Sequence, residues 1–332
     1  MAKQAGARQE VRIGARGSKL SLVQAGQVRD AIARNLPAGA AAIILPITTS
    51  GDQIQDRRLA EIGGKGLFTK EIERKLLDGG IDCAVHSMKD MPAEGPAGLL
   101  VAAIPPRADP RDVLVSRTGA SLAALPKGAR LGTASARRAA QALHARPDLS
   151  IVPLRGNVET RLRKLDAGEM EAILLAAAGL QRLGLSARIS DFLDPEETPP
   201  APGQGALAIQ VREADAAAAW LTGLDDRPTR LCVAAERGAL SALEGSCKTA
   251  IGAFARIEAE RLELTVEALT EDGARRFRRQ ASVEIAGEDG DARAQALGER
   301  LGAEVAHEYQ SHAFPGEAES LRRKGNAPDS RS

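Results

Sequence analysis

The chain has 332 residues, 43% of them hydrophobic, and a formal net charge of +1 from 45 basic and 44 acidic side chains. Such a length supports two or three domains with cores of their own. The charge balance, with only 2% aromatic residues, argues against a surface that attracts nucleic acid or stacks its bases.

Cys83, Cys232 and Cys247 form no CxxC pair and no even disulfide framework, which fits a reducing compartment. The amino terminus lacks the apolar core of a signal peptide, and no stretch approaches the length of a membrane span. His86, His144, His307 and His312 show no metal-ligand spacing with the cysteines. The expectation is a cytoplasmic protein without a metal site.

Val11 to Gly14 reads as a first strand, and Ser18 as the N-cap of a helix that lines up Leu20, Val23, Val28, Ala31 and Ile32. Arg16 then stands at a helix amino terminus, where a cation is opposed by the dipole unless an anion joins it. A second strand, Ala42 to Ile47, exits into Thr48 to Asp52. Next, Gly63, Gly64 and Gly66 surround Lys65 ahead of a helix with Phe68, Ile72 and Leu76 at four-residue spacing. The P-loop spacing is absent, so the stretch is expected to be a basic ligand loop or lid and not a nucleotide cradle. Ile81 to Val85 is the third strand, and it releases His86, Ser87, Met88, Lys89 and Asp90 before Pro92. Polar clusters at the carboxyl ends of buried strands are where open α/β sheets build ligand sites. Strands alternating with helices imply right-handed crossovers and a parallel sheet.

After a strand at Leu99 to Ile104, the proline-rich IPPRADPR leads into a second unit of the same outline. It has strands at Asp112 to Ser116, Ala129 to Gly132, Leu149 to Leu154 and Ala172 to Ala176, with helices opened by Ser135 and Asn157. Arg137 and Arg138 fall in the first turn of one helix, and Arg155 and Arg161 flank the start of the next. Arginines collected at one sheet edge suit a ligand with several carboxylates, because guanidinium pairs with carboxylate in bidentate fashion. The segment TPPAPGQG is a second linker, and Ala206 to Val211 is a strand free to return to the first sheet. Two lobes joined by two crossing segments form a hinge. A helix over Arg230 to Leu243, a loop with Cys247 beside Lys248, three strands (Ile251 to Ile257, Leu262 to Leu269, Ala274 to Ile285) and a helix over Ala292 to Tyr309 complete the chain. Cys83 and Cys232 sit in apolar surroundings, whereas Cys247 lies beside a cation that favours its thiolate.

The expected architecture is two hinged, doubly wound α/β lobes, 11–105 with 205–223 and 110–199, and a smaller α+β domain, 227–312, with a three-stranded antiparallel sheet. The ends, 1–10 and 315–332, are expected to lack fixed structure.

The motifs RGSKLSLVQ, GGKGLFTKEIE, DCAVHSMKDMP, GTASARR, LRGNVETRL, PGQGA and LEGSCKTAIGA, in this order, resemble the porphobilinogen deaminase (hydroxymethylbilane synthase) family from about Arg12 to about Tyr309. The resemblance implies a transferase of haem biosynthesis that polymerises four porphobilinogen molecules head to tail with loss of ammonia. It then releases hydroxymethylbilane by hydrolysis. It further implies a dipyrromethane cofactor joined through a thioether to Cys247, with Asp90 and Lys89 as the catalytic pair. Cofactor contacts map to Arg16, Ser18, Lys89, Asp90, Thr133, Ser135, Arg137 and Arg138. Substrate contacts map to Arg16, Lys65, Ser87, Arg155, Arg161, Arg182 and Gln204. Glu61 stands where some members have lysine before the flap glycines, and the cofactor loop reads GSC where GGC is frequent. A monomer is expected, and the pathway places uroporphyrinogen III synthase next as a partner.

The residue chemistry agrees. Positive charge develops on pyrrole nitrogen as porphobilinogen loses ammonia and again as the chain grows. A carboxylate at about 4 Å, with an effective dielectric of about 20, is worth roughly 4 kcal/mol there, nearly three decades in rate. The alternative is a two-lobed binding module for a small polycarboxylate, as in periplasmic binding proteins; it explains the arginines but gives Cys247 no role.

Overall fold

The computed structural model describes residues 10–53, 66–243 and 250–313. The first apolar run forms β1 (Glu10–Arg16), which leads into α1 (Lys19–Ala33), where the Ser18 hydroxyl accepts a hydrogen bond from the Ser21 N–H. A serine N-cap satisfies a donor that the first turn would leave without a partner. β2 (Ala41–Ile47), the short α2 (Ser50–Gln53), α3 (Lys70–Leu77), β3 (Cys83–Ser87) and β4 (Leu99–Ala103) follow. The second unit contains β5 (Asp112–Ser116), β6 (Arg130–Gly132), α4 (Ala136–Ala145), β7 (Ser150–Val152), α5 (Val158–Asp166), β8 (Ala172–Ala176), α6 (Ala177–Arg182) and β9 (Asp191–Phe192). The chain then returns through β10 (Leu207–Arg212).

The two five-stranded sheets have one order: β2-β1-β3-β10-β4 in the first lobe and β7-β6-β8-β5-β9 in the second. β1 runs parallel to β2 and β3, and β6 parallel to β7 and β8. β10 and β5, at equivalent places, run antiparallel to both neighbours. The sheets are therefore mixed, not wholly parallel as the strand–helix alternation predicts. The reason lies in the connections. A parallel neighbour needs a helical crossover, whereas β5 and β10 each enter from the other lobe through a linker.

Alternate residues of each strand feed opposite faces. In the first sheet Ile13, Val85 and Ile209 pack with Val28 and Ile32 of α1, while Ile47, Ile81 and Ala84 pack with Ile72 and Leu76 of α3. In β5, Val113 and Val115 join Leu162 and Leu165 of α5, while Leu114 joins Ala142 of α4. The buried stripe of α1 is Gln24, Ala25, Val28 and Ile32, so Leu20 and Val23 of the expected stripe are only half-buried.

The last body comprises α7 (Arg227–Leu243), β11 (Ala250–Glu258), β12 (Arg261–Leu269), β13 (Arg276–Glu284) and α8 (Gly290–Ala313). Its sheet is an antiparallel meander in the order β11-β12-β13. Leu262, Leu264, Val266 and Ala268 bury one face against the two helices. From the other face Ala250 and Leu269 meet Ala140 of α4, joining this body to the second lobe. No helix among the described residues is long and apolar enough to cross a membrane.

Candidate active site

The end of β3 runs straight into a 3-10 turn, Met88–Asp90. Met88 is buried with Met91, Ile104 and Ala208, and this anchor leaves Lys89 and Asp90 facing outward. Asp90 accepts no hydrogen bond from any described residue; its charged neighbours are Lys89 and, from the second lobe, Arg161. Lys89 keeps accessible surface, yet protein on both sides of the cleft strips enough water to push its ammonium down to about 8, with Arg138 acting in the same direction.

Behind this pair, His86 is buried against Gln210, Nε2 to Oε1 at 3.1 Å. Burial pushes its imidazole down to about 4, so the ring is neutral in ordinary buffers and serves packing. The Ser87 hydroxyl exchanges hydrogen bonds with the Gln24 side chain at 3.0 and 3.3 Å, which accounts for a glutamine on the buried side of α1.

Across the cleft, Ser135 and Asn157 cap α4 and α5 through their side chains. Arg137 and Arg138, in the first turn of α4, are not open cations: both are buried and share one buried carboxylate, Asp112. Arg137 Nη1 reaches Asp112 Oδ2 at 2.6 Å, and Arg138 donates to Oδ1 from Nε at 3.0 Å and Nη2 at 2.7 Å. Burial opposes the Asp112 charge, but the two guanidinium groups outweigh it and hold the carboxyl well below its usual range. Arg137 also donates to Gln141 and to the Pro199 carbonyl. Arg161 lies within electrostatic range of Arg138, Asp90 and Arg155, and burial pushes its guanidinium down to about 10. Lys89 and Asp90 of one lobe thus meet Arg138 and Arg161 of the other, with Arg155 beside them.

Arg16 faces the Asp52 carboxylate and stacks over the Phe68 ring, 4.1 Å from its centroid. The anion expected beside this helix-terminal arginine is therefore supplied in part by the chain itself. Ser18 and Ser135 spend their hydroxyls on helix caps, and Thr133 Oγ1 accepts from the Ser135 N–H at 3.1 Å. Arg182 donates to the Gly205 carbonyl at 2.9 Å. Gln204 is not on the cleft wall: it is buried in the second linker with its amide bonded on both sides. Lys65 and Cys247, with Glu61 and the GSC loop, lie outside the described residues. The other two thiols are buried and pushed up, Cys232 to about 12, and are unsuited to nucleophilic work.

The family description "Porphobilinogen deaminase, dipyromethane cofactor binding domain" matches residues 11–219, and "Porphobilinogen deaminase, C-terminal domain" matches residues 230–307. The chain belongs to the porphobilinogen deaminase family. Relatives named porphobilinogen deaminase include that of Caulobacter vibrioides, 62% identical over 304 residues that cover 89% of this chain and 94% of the relative. That of Phenylobacterium zucineum is 59% identical over 307 residues, covering 90% and 96%. Among solved structures, a putative methionine-binding lipoprotein of Bacillus subtilis shares 13% identity at a TM-score of 0.41, covering 73% of this chain and 96% of that one.

Membership makes the chain a transferase of tetrapyrrole biosynthesis that works with a dipyrromethane cofactor, and it sets aside the binding module as the main function. The sequence missed three residues that shape this candidate site: Asp112, Asp52 and Gln24. Asp112 opens a strand, Asp52 follows one and Gln24 lies within a helix, and a lone polar residue in such places names no partner.

Proposed function

We propose that the cleft between Asp90 and Arg161 is where four porphobilinogen molecules are joined, and that Cys247 carries the dipyrromethane to which they are added. The observation that supports this most is the Asp90 carboxylate, free of hydrogen bonds from described residues yet flanked by Lys89 and Arg161. A carboxylate without a fixed partner is available to accept pyrrole N–H groups and to stabilise the positive charge that forms on pyrrole nitrogen. At about 4 Å and an effective dielectric of about 20 this is worth roughly 4 kcal/mol.

The donor set fits the cofactor. Two pyrrole rings bring four carboxylates, and Arg155, Arg161, Lys89 and Arg16 have half-buried or exposed cationic groups to meet them. Arg137 and Arg138 are held by Asp112, so a ligand carboxylate reaches them only by competing with that residue. When bound, the dipyrromethane supplies the free pyrrole α-carbon at which the chain grows. Lys89 places an ammonium beside Asp90, where it can pair with an incoming acetate or propionate. Ser18, Ser87, Thr133 and Ser135 shape the cleft ends of their elements, and Arg182 adds a cation at the second linker; Lys65, a substrate contact in this reading, lies outside the described residues. Hydrolysis then frees hydroxymethylbilane. In this proposal the enzyme is a cytoplasmic monomer whose product passes to uroporphyrinogen III synthase.

The test is the intact mass of the denatured protein and its Cys247→Ser variant, before and after porphobilinogen. The expected result is a dipyrromethane-sized excess that requires Cys247 and grows by pyrrole increments. Bare polypeptide mass in every sample would overturn the assignment.

A further inference from the structure

The PGQG stretch is unexplained by substrate contact, because Gln204 is 1% exposed. Its side chain is fully committed. Nε2 donates to the Pro110 carbonyl and to Asp112 Oδ1, each at 2.8 Å, and Oε1 accepts from Lys89 Nζ at 3.2 Å and Arg138 Nη2 at 3.3 Å. Two partners that only accept and two that only donate leave one orientation for the amide. Among the described residues Gln204 is also the one hydrogen-bond acceptor of the Lys89 ammonium.

The backbone around it is equally fixed. The Gly203 N–H donates to Glu236 Oε2 at 2.7 Å, and Arg107, itself paired with Glu236, donates from Nε to the Gln204 carbonyl at 2.8 Å. Gly203 and Gly205 have φ of 74° and 88°, where a side chain would be strained. A Cβ on the first would strike Met88, and on the second the Ala108 carbonyl. A glycine on each side of this glutamine is therefore what lets the linker press against both the 3-10 turn and the other linker.

We propose that Gln204 is a positioning residue, a neutral bridge across the hinge that holds the Lys89 ammonium beside Asp90 and off Asp112. This rests on the proposed roles of Lys89 and Asp90. The charges that face Lys89 are Asp90 on its own turn, Asp112 on β5, and Arg137 and Arg138 on α4, with Arg161 on α5 facing Asp90. Asp112 attracts the ammonium and Arg138 repels it; a carboxamide spans the two without adding charge. A carboxylate in its place repels Asp112, and an apolar side chain deprives Lys89 of its acceptor.

The test uses Gln204→Met, Gln204→Glu and Gln204→Asn in the full chain, with cofactor loading checked by intact mass and folding by circular dichroism. In Gln204→Met, kcat is expected to fall about tenfold or more while KM stays within about threefold. The alkaline limb of kcat, where Lys89 loses its proton, moves to lower pH in Gln204→Met and to higher pH in Gln204→Glu. Gln204→Asn, one methylene short of Lys89, follows Gln204→Met and replaces it if that variant does not fold. Opposite displacements support the bridge. Wild-type kcat, or a lower kcat with an unmoved limb in all folded variants, overturns it. An Asp90→Asn arm separates the two ideas: turnover retained there sinks the site assignment, whereas an inactive Asp90→Asn beside wild-type Gln204 variants sinks only the bridge.

Discussion

Replacing Asp112 by asparagine removes the shared counterion of two buried guanidinium groups. The Asp112 carboxylate is 1% exposed and receives hydrogen bonds from Arg137, Arg138 and Gln204 between 2.6 and 3.0 Å. Breaking a buried pair from one side costs about 3–5 kcal/mol, because the partner is left charged and dry. At about 2–4 °C per kcal/mol for a cooperative unit of about 150–250 residues, the melting temperature of Asp112→Asn should fall by about 6–20 °C. Two further signatures follow. Freed guanidinium groups gain affinity for outside carboxylates, so citrate should raise the melting temperature of the variant more than that of the wild type. The pH dependence has a fixed sign. The folded pKa of Asp112 lies below its unfolded value, so its stabilisation is complete above the unfolded carboxylate range and fades as pH falls below it. Wild-type melts should therefore approach those of Asp112→Asn only in strong acid. Equal melts at pH 7, in the absence of ligand, would refute the picture of two arginines held by one buried acid.

Asp90→Asn should lose nearly all turnover with an unchanged thermal melt, since Asp90 makes no hydrogen bond within the described fold; a steady-state assay beside calorimetry checks both. In the wild type, kcat should decline as pH rises through about 8, where Lys89 becomes neutral, and a flat profile to pH 10 would remove Lys89 from the chemistry. Arg237 of α7 donates to the carbonyls of Met91 at 3.5 Å, Pro92 at 2.6 Å and Ala93 at 2.8 Å, just past Asp90. Arg237→Gln should lower kcat by about tenfold, the worth of one or two charge-assisted bonds in holding the turn, while intact mass still shows the cofactor; undiminished kcat would free the turn from that anchor.

The elements were legible wherever local chemistry decides structure. Ser18, Ser135 and Asn157 read as caps, and each accepts the hydrogen bond a cap should. β5 and β8 have the bounds expected of them, and the strand after PGQG returns to the first sheet. What sequence spacing could not convey is pairing across distance. Arg137 and Arg138 announce cations, but the carboxylate that holds them is 25 and 26 positions earlier, at the start of a strand. Glu236 carried a usable signal, a charged residue on the buried stripe of α7 between Cys232 and Ala239. Its partner Arg107, 129 positions away in a linker, did not.

The cleft is organised around charge that must be held before any ligand arrives. Lys89, Arg137, Arg138 and Arg161 face Asp90 and Asp112, an excess of two positive charges in a chain whose net charge is +1. Without Asp112 the excess would be three, and like charges crowded in a partly dry cleft repel one another at several kcal/mol per close pair. Resident carboxylates thus let arginines accumulate. They differ in how firmly they hold: Arg137 and Asp112 are 7% and 1% exposed, whereas Arg16 and Asp52 are each 24% exposed. An exposed pair costs little to open, since water replaces what is lost, and a buried pair costs much. In the proposed site each added pyrrole brings two more carboxylates, and Arg16, the more exposed of the two paired arginines, is expected to exchange its partner more readily than Arg137.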